Sequence, residues 1–512
     1  MRKFFPSTLT PYDGQLKALE EIAASFNDGK RFFILEGPTG FGKSAVGKAV
    51  LNLCGKGFIT SPLNSLVRQY AQDSNLGLVQ VRGQSTYNCT AFPPLNCEQA
   101  ADRFEDHSRR CMDYIPARDA FWKADHGVTN LHFLSYAPPI EGAVYPRNVL
   151  VVDEAHNLEN ILISMCQRTI SAAHVSAIHA RPFNFPGEDR KLLNPDEVAK
   201  WLRYFESAIA KALCEIADGE EKRDYESLKD GINFTLECRN WITWKEKGSL
   251  VISPLSAGRA ASRLFRCAGH VLFMSATMGA IPLFLQSLGI KETDVAIHRA
   301  ECRFAPENRE IIFCNMGSMS KNKGQPGLSP MLVECSRILR ERPEDRGIIH
   351  CHSRELQRTV VQHLQKEFGN RILTHRSGND RDAGVQRLRQ SRNGVLCAVA
   401  MTEGLDLRDD DARFCIFAKI PWPNVTDPYI AARKRNSQDW YENATALAVV
   451  QGSGRVVRSE KDHADTFIFD SSFPMLVHRF PDWYQDAIRI RKKRPVSERN
   501  FPTVPSNLAR KG

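Results

Sequence analysis

The segment Gly37-Pro38-Thr39-Gly40-Phe41-Gly42-Lys43-Ser44 holds the densest chemistry in the chain. Its spacing, G-x-x-x-x-G-K-S, lets glycine backbone N–H groups wrap a polyphosphate, and a helix opening beside Lys43 turns its positive end toward the same anion. Lys43 is placed to reach the β- and γ-phosphates, and the Ser44 hydroxyl to ligate Mg²⁺. About 110 residues further on stands Asp153-Glu154-Ala155-His156. A strand-terminal Asp153 can hold the Mg²⁺ while Glu154 polarises a water for attack on the γ-phosphate. The third group is Gln451-Gly452-Ser453-Gly454-Arg455-Val456-Val457-Arg458. Arg455 and Arg458, three apart on a helix, share a face and can stabilise charge on a transferring phosphoryl group. Taken singly, these are a Gly-rich turn, a solvated strand end and a basic helix surface. Taken together they describe a nucleoside triphosphate hydrolase that uses Mg²⁺, with catalytic groups (Glu154, and Arg455 and Arg458 beside Gln451) drawn from two halves of the chain.

Such groups need rigid mounts, and the apolar pattern supplies them. Phe32–Leu35, Asn148–Val152, His270–Met274, Gly347–His350 and Phe414–Phe417 are continuous apolar runs ending in small, polar or turn residues, the mark of strands buried on both faces. Helical patterns at Ser44–Leu53, Leu63–Gln72, Arg354–Phe368 and Asp439–Val450 lie between them. The alternation predicts an α/β chain with parallel sheets built from βαβ units. Two stretches break it. Cys89 to Cys111 has no strand pattern, and about Asn160 to Ser249 reads as long helix. Both look like insertions into the first α/β unit. Asn315–Pro330 reads as an exposed loop or linker, and Arg489–Arg494 begins a basic, Pro-spaced tail.

Composition sets wider bounds. The 512 residues are 42% hydrophobic and 25% charged, which excludes a largely disordered chain and suggests several domains. The net charge of +10 suits a polyanionic partner. The first residues, MRKFFPSTLTPYDG, lack the apolar run of a secretory signal, and no apolar run is long enough for a membrane span. Fourteen scattered cysteines fit a reducing, cytoplasmic setting, where grouped cysteines serve as metal ligands more often than as disulfides.

In order, the Walker sequence, the DEAH box, Ser275-Ala276-Thr277 and Q-x-x-G-R-x-x-R resemble superfamily 2 helicases. Asn157-Leu158, Gly83–Cys89, Cys111-Met112-Asp113-Tyr114 with Ala117-Arg118, Glu403-Gly404-Leu405-Asp406 and Ile420-Pro421-Trp422-Pro423 narrow the resemblance to the XPD/DinG branch, over roughly Pro11 to Pro481. That resemblance implies two RecA-like motor domains with the ATP site between them. The first would comprise residues 1–88, 125–160 and 250–300, interrupted by a cysteine insertion (89–124) and a helical Arch-like insertion (161–249). The second would span 301–490, ahead of a tail at 491–512. It further implies that Gln15 contacts adenine, that Thr60-Ser61-Pro62 through Gln69 grips a strand, and that Ser275, Thr277, Gly404 and Asp406 couple ATP state to domain movement. The implied partners are single-stranded DNA and forked or flapped duplex, on which a monomeric motor moves 5′ to 3′; a remodeller that hydrolyses ATP without unwinding is the alternative.

The branch usually offers four cysteines to a [4Fe–4S] cluster, but this segment has only Cys89, Cys97 and Cys111. His107 is the nearest candidate for a fourth ligand, with Cys54 another. A cluster with a non-cysteine ligand, a Cys₃His zinc site and a metal-free remnant all stay open. Trp241 and Trp244 could stack bases and His350 with His352 could bind metal, although core packing explains all four.

Overall fold

The apolar runs become parallel strands whose alternate residues enter two different cores. Phe32 and Ile34 pack with Phe58, Leu150, Val152 and Phe273 on one face of the sheet, while Phe33 and Leu35 pack with Ile59, Val149, Val151 and Met274 on the other. A strand covered on both faces has no polar side, which is why these segments read as continuous rather than alternating. The computed structural model describes residues 1–62, 64–143, 145–179, 184–216, 220–238, 240–375, 380–399, 407, 409–454, 457 and 462–491.

The first unit opens with β1 (Phe32–Glu36), β2 (Gly57–Ser61), β3 (Val79–Gln80), β4 (His126–Asn130) and β5 (Arg147–Val152). Three further strands follow, β6 (Arg168–Ser171), β7 (Trp241–Glu246) and β8 (Ser249–Pro254), before the chain returns through β9 (Ala268–Ser275) and β10 (Val295–Arg299). The seven strands outside that excursion form one parallel sheet, ordered β10-β1-β9-β5-β2-β4-β3. The second unit has β11 (Ile311–Gly317), β12 (Gly347–His350), β13 (Ile372–Thr374), β14 (Val395–Ala398), β15 (Phe414–Phe417), β16 (Asp465–Asp470) and β17 (Ile488–Ile490). They form a second parallel sheet, ordered β13-β14-β12-β15-β16-β11-β17. These are two RecA-like α/β sheets.

The excursion between β5 and β9 is not helical alone. Helices Pro195–Leu213 and Glu220–Glu237 pack on an antiparallel sheet ordered β6-β8-β7, around a core of their own that includes Ile170, Leu202, Phe205, Ile232 and Ile252. The short, mixed strands there carry no alternation strong enough to stand out beside long helical text. Trp244 is buried against Ile242, Val251 and Ala432, so it serves packing, and Trp241 is half-buried against the excursion's core. The Gly/Ser/Lys-rich stretch at Asn315–Pro330 is a loop inside the second unit. β11 runs into its start, ending at Gly317, and the helix Leu328–Glu341 begins within it. His350 is buried, its ring 4.9 Å from that of Phe417.

The order β1-β9-β5 matters most for chemistry, because the residues following these three neighbours emerge side by side at the carboxyl edge of the sheet. Behind that edge, Arg147 at the start of β5 is almost fully buried. Its guanidinium donates to the carbonyls of Ala124, Asp125 and Trp122 and lies 4.6 Å from the centre of the Phe58 ring. Removing it would leave the buried Trp122 carbonyl without its donor and open a cavity. Arg147→Ala should lower stability by about 3–5 kcal/mol in urea unfolding; a loss below about 1 kcal/mol would show that this network is replaceable by water.

Candidate functional site

The P-loop connects β1 to the helix Lys43–Cys54. Gly42 adopts φ +76°, and a Cβ there would stand 2.4 Å from Gln15 Nε2, so both the backbone conformation and the space demand glycine. From beneath, Gln15 Nε2 donates to the Phe41 carbonyl at 3.0 Å and the Tyr12 hydroxyl donates to the same oxygen at 2.9 Å. Gln15 thus lies under the loop, holding its shape. Lys43 Nζ donates to the Gly37 carbonyl at 2.7 Å, across the mouth of the loop. Gly40, Pro38 and Thr39 form its crest, and Pro38 and Thr39 line a cavity with Ser453 and Gly454 of the second unit.

Asp153 follows β5 and is buried. Its Oδ2 accepts from the Tyr70 hydroxyl at 2.8 Å and its Oδ1 from the Glu154 N–H at 3.0 Å. Tyr70 also hydrogen-bonds Ser44, so one phenol joins the two residues expected to hold Mg²⁺. Burial and the adjacent Glu154 charge raise the Asp153 carboxyl to about 6, against the opposing pull of Lys43 and Tyr70. Glu154 sits in the left-handed region at φ +50°, a conformation costing a non-glycine residue on the order of 1 kcal/mol. Its Oε2 lies 3.4 Å from His156 Nδ1.

His156 links this edge to the next strand. Ser275, at the end of β9, donates its hydroxyl to the Thr277 carbonyl at 2.8 Å, and His156 Nδ1 stands 2.9 Å from Ser275 Oγ. With the serine hydrogen committed, Nδ1 must carry the proton in that contact. Two residues without a sequence signature strong enough to single them out complete the edge. Glu36 accepts from the Met278 N–H at 2.6 Å, from the Thr277 hydroxyl at 3.4 Å and from Arg299 Nε at 2.8 Å. Its mark, a carboxylate closing an apolar strand just before Gly37, was visible but local text gave it no partner. Tyr70 had no such mark, because only the fold brings its helix, Asn64–Gln72, over Asp153.

The second unit meets this edge through the helix Gln438–Ser453. Asn443 Oδ1 accepts the Ala280 N–H at 2.7 Å, directly after the Ser275–Thr277 turn. Two turns on, Gln451 is buried, lines one cavity with His156 and Asn157, and its Nε2 makes no hydrogen bond among the described residues. A cleft of about 680 Å³ opens beside the P-loop, between Glu36, Pro38 and Thr277 and the segment Arg479–Trp483. Arg455, Arg458, Gly404 and Asp406 lie outside the described residues. Beyond the cleft, Arg433 pairs with Glu159 at 2.5 Å with both side chains nearly buried, and its guanidinium donates to the Leu255 carbonyl at 2.9 Å.

The cysteine segment forms a separate group. The ligand atoms of Cys89, Cys97 and His107 lie within 4.8 Å of one another, all buried, and Cys97 and Cys111 have sulfurs 3.8 Å apart. His107 Nε2 is buried without a hydrogen-bond partner among the described residues. Cys97 belongs to two groups of donors, with Cys89 and His107 on one side and with Cys111 and Asp113 on the other, residue types that suit a metal centre. Cys54, the other candidate for a fourth ligand, ends the helix Lys43–Cys54 and belongs to neither group of donors.

Two outcomes follow from the buried charges. A carboxylate whose folded pKa is raised destabilises the fold when ionised, above about pH 6, and the cost fades as pH falls toward the unfolded value. Asp153→Asn should therefore raise stability at pH 7–8 by on the order of 1–3 kcal/mol, a gain that shrinks toward pH 4; a pH-independent effect in thermal melts would contradict the shift. Arg433→Ala should cost about 3–5 kcal/mol by leaving Glu159 buried and unpaired. The double variant Arg433→Met with Glu159→Leu should recover much of that loss, and no recovery would mean that the pair is not the source.

Comparison with known proteins agrees with this architecture. Residues 335–487 match the family model of the helicase C-terminal domain. The Caenorhabditis briggsae homolog of regulator of telomere elongation helicase 1 is 22% identical over 343 residues, covering 57% of this chain and 34% of that protein. The human regulator of telomere elongation helicase 1 is 26% identical over 114 residues, 19% of this chain and 9% of its own length. The chain thus spans about a third or less of the length of these relatives. A solved XPD helicase superposes over 95% of this chain and all of its own with TM-score 0.62 at 15% identity, and Xpd4 of S. tokodaii over 94% and 100% with TM-score 0.59 at 14% identity. At such identities the likeness is one of fold. A helicase C-terminal domain thus matches part of the second half of the chain, and the fold of a solved XPD helicase extends along nearly its whole length.

Proposed function

We propose that the protein is an ATP-driven motor that travels along single-stranded DNA and displaces the complementary strand. The observation that carries this reading is the cluster at the sheet edge, where Ser44, Tyr70 and Asp153 share hydrogen bonds, Lys43 lies close enough to act on the Asp153 charge, and Asn443 reaches across from the second unit. In this reading the P-loop backbone from Gly37 to Gly42 cradles the phosphates, and Lys43 leaves the Gly37 carbonyl to meet them. Ser44 and Asp153 would hold Mg²⁺, which would offset the negative charge of the phosphates. Glu154 orients the attacking water, and Gln451, Arg455 and Arg458 approach from the second unit to stabilise charge on the γ-phosphoryl group as it passes from ADP to water.

Coupling then needs an element with two arrangements that feels the γ-phosphate. His156, Ser275 and Thr277 link the DEAH edge to the turn that Asn443 reads, so a change at Glu154 reaches the second unit through three hydrogen bonds. Gly404 and Asp406 are assigned to the same coupling by resemblance. Closing on ATP and opening after hydrolysis would become one step along the strand, 5′ to 3′ as in the branch it resembles. The basic excess supplies sequence-independent attraction for the phosphate backbone.

The test is steady-state ATP hydrolysis without nucleic acid, with single-stranded DNA and with single-stranded RNA, followed by strand displacement on forked duplex. DNA alone should stimulate turnover and the fork should open. Equal stimulation by RNA, or turnover with the duplex left paired, would replace the helicase with a remodeller. Lys43→Ala should lower kcat by at least about 100-fold while strand binding persists; retained turnover would remove the P-loop from the mechanism.

A further inference from the structure

We propose that Tyr70 is a positioning residue that couples a nucleic-acid strand held on the helix Asn64–Gln72 to Ser44 and Asp153, the residues assigned to Mg²⁺. The inference rests on the motor reading above and adds a route by which the strand acts on the nucleotide edge. Its first support is the direction of the hydrogen bonds. The Asp153 carboxylate can only accept, so the single Tyr70 hydroxyl hydrogen goes to its Oδ2, at 2.8 Å. In its bond with Ser44 the phenol oxygen must therefore accept, and Ser44 donates. With its hydrogen turned toward Tyr70, Ser44 keeps oxygen lone pairs for a cation. A carboxylate offers about four lone-pair sites, and Tyr70 and the Glu154 N–H take one each. Two oxygen donors fixed from behind by one phenol suit a hard cation such as Mg²⁺.

The second support is the mount of Tyr70. Val67 and Tyr70 are the buried residues of its helix, and Val67 packs in the core that holds Ile59, Leu76 and Val128. Ser65, Arg68, Gln69 and Gln72 are exposed and recur at helical spacing, so they form one polar face. A guanidinium, a hydroxyl and two amides are groups that meet a sugar–phosphate backbone without reading its bases. The helix follows β2 closely, and the Asp153 N–H donates to the Thr60 carbonyl of that strand at 2.9 Å. A load on the polar face therefore bears on a helix whose inner face ends in the Ser44–Tyr70–Asp153 bonds. A shift of about 0.5 Å along the 2.8 Å Tyr70–Asp153 contact would carry it past the usual O–H···O range of about 2.5–3.0 Å. A strand that holds the helix in place keeps both oxygen donors aimed. By linkage, a bound cation tightens the grip on the strand by the same factor.

The test reads binding without turnover. Mn²⁺ stands in for Mg²⁺ on the whole chain with ADP, and electron paramagnetic resonance follows its affinity with and without a thymidine oligonucleotide. In the wild-type chain the oligonucleotide should tighten Mn²⁺ binding about 10-fold. Tyr70→Phe keeps the ring and should weaken Mn²⁺ binding about 10–100-fold. In that variant the oligonucleotide effect should fall below about 2-fold. ADP binding without metal should match the wild type, which a misfolded variant would not show. An oligonucleotide effect of wild-type size in Tyr70→Phe would overturn the proposal. So would a wild-type chain that binds Mn²⁺ with ADP and binds DNA independently of each other, an outcome that leaves the motor reading standing. A chain that binds no DNA would remove the motor reading, and the coupling with it. If Tyr70→Phe fails to fold, hydrogen exchange on the wild type decides. Mn²⁺ with ADP should slow the amides of Asn64–Gln72, and amides that do not respond would exclude the link.

Discussion

A carboxylate buried beside a second carboxylate stays ionised only if donors and cations come to it, and the first sheet is arranged around that demand. Asp153 loses water to burial and feels Glu154 next to it, and Tyr70, the Glu154 N–H and Lys43 answer both costs. Each comes from a different place: Tyr70 from the helix after β2, Lys43 from the start of the helix after the P-loop, and Asp153 with Glu154 from the end of β5. Only a parallel sheet that sets these strands side by side can deliver them to one point. A divalent cation bound there would relieve the repulsion that the protein alone only partly offsets.

The same edge carries the link to the second unit. Glu36 at the end of β1 holds the backbone of Met278 and the side chain of Arg299, and His156 holds Ser275. The turn between them is therefore fixed on its first-unit side and read by Asn443 on the other. The buried pair of Arg433 and Glu159 is a second point of attachment, close to the DEAH edge in sequence but outside the cleft. Hydrogen bonds of this kind are directional, so small shifts at this edge change which partner each group faces instead of being absorbed by soft packing.

The two insertions show how differently sequence and tertiary structure speak. The cysteine segment announced its donors by residue type, and the fold sets Cys97 beside Cys89 and His107 and also beside Cys111, with Cys54 in neither group. The longer insertion announced its helices but hid β6, β7 and β8, whose stability comes from pairing with strands far along the chain. Such pairing has no local period to read.

Local text determined the parts that depend on backbone conformation and on short-range pattern. The glycines of the P-loop, the apolar runs of β1, β5, β9, β12 and β15, and the helices between them are written in residue type and spacing, because a turn, a doubly buried strand and an amphipathic helix each impose their own rule on consecutive residues. Only the tertiary structure decided that Tyr70 joins Ser44 to Asp153, that Glu36 holds the turn after Ser275, that Asn443 crosses between the units, and that His107 lies within reach of Cys89 and Cys97. These are contacts between residues distant in sequence. Their strength comes from burial and from hydrogen-bond direction, and neither exists until the sheet has brought its strand ends together.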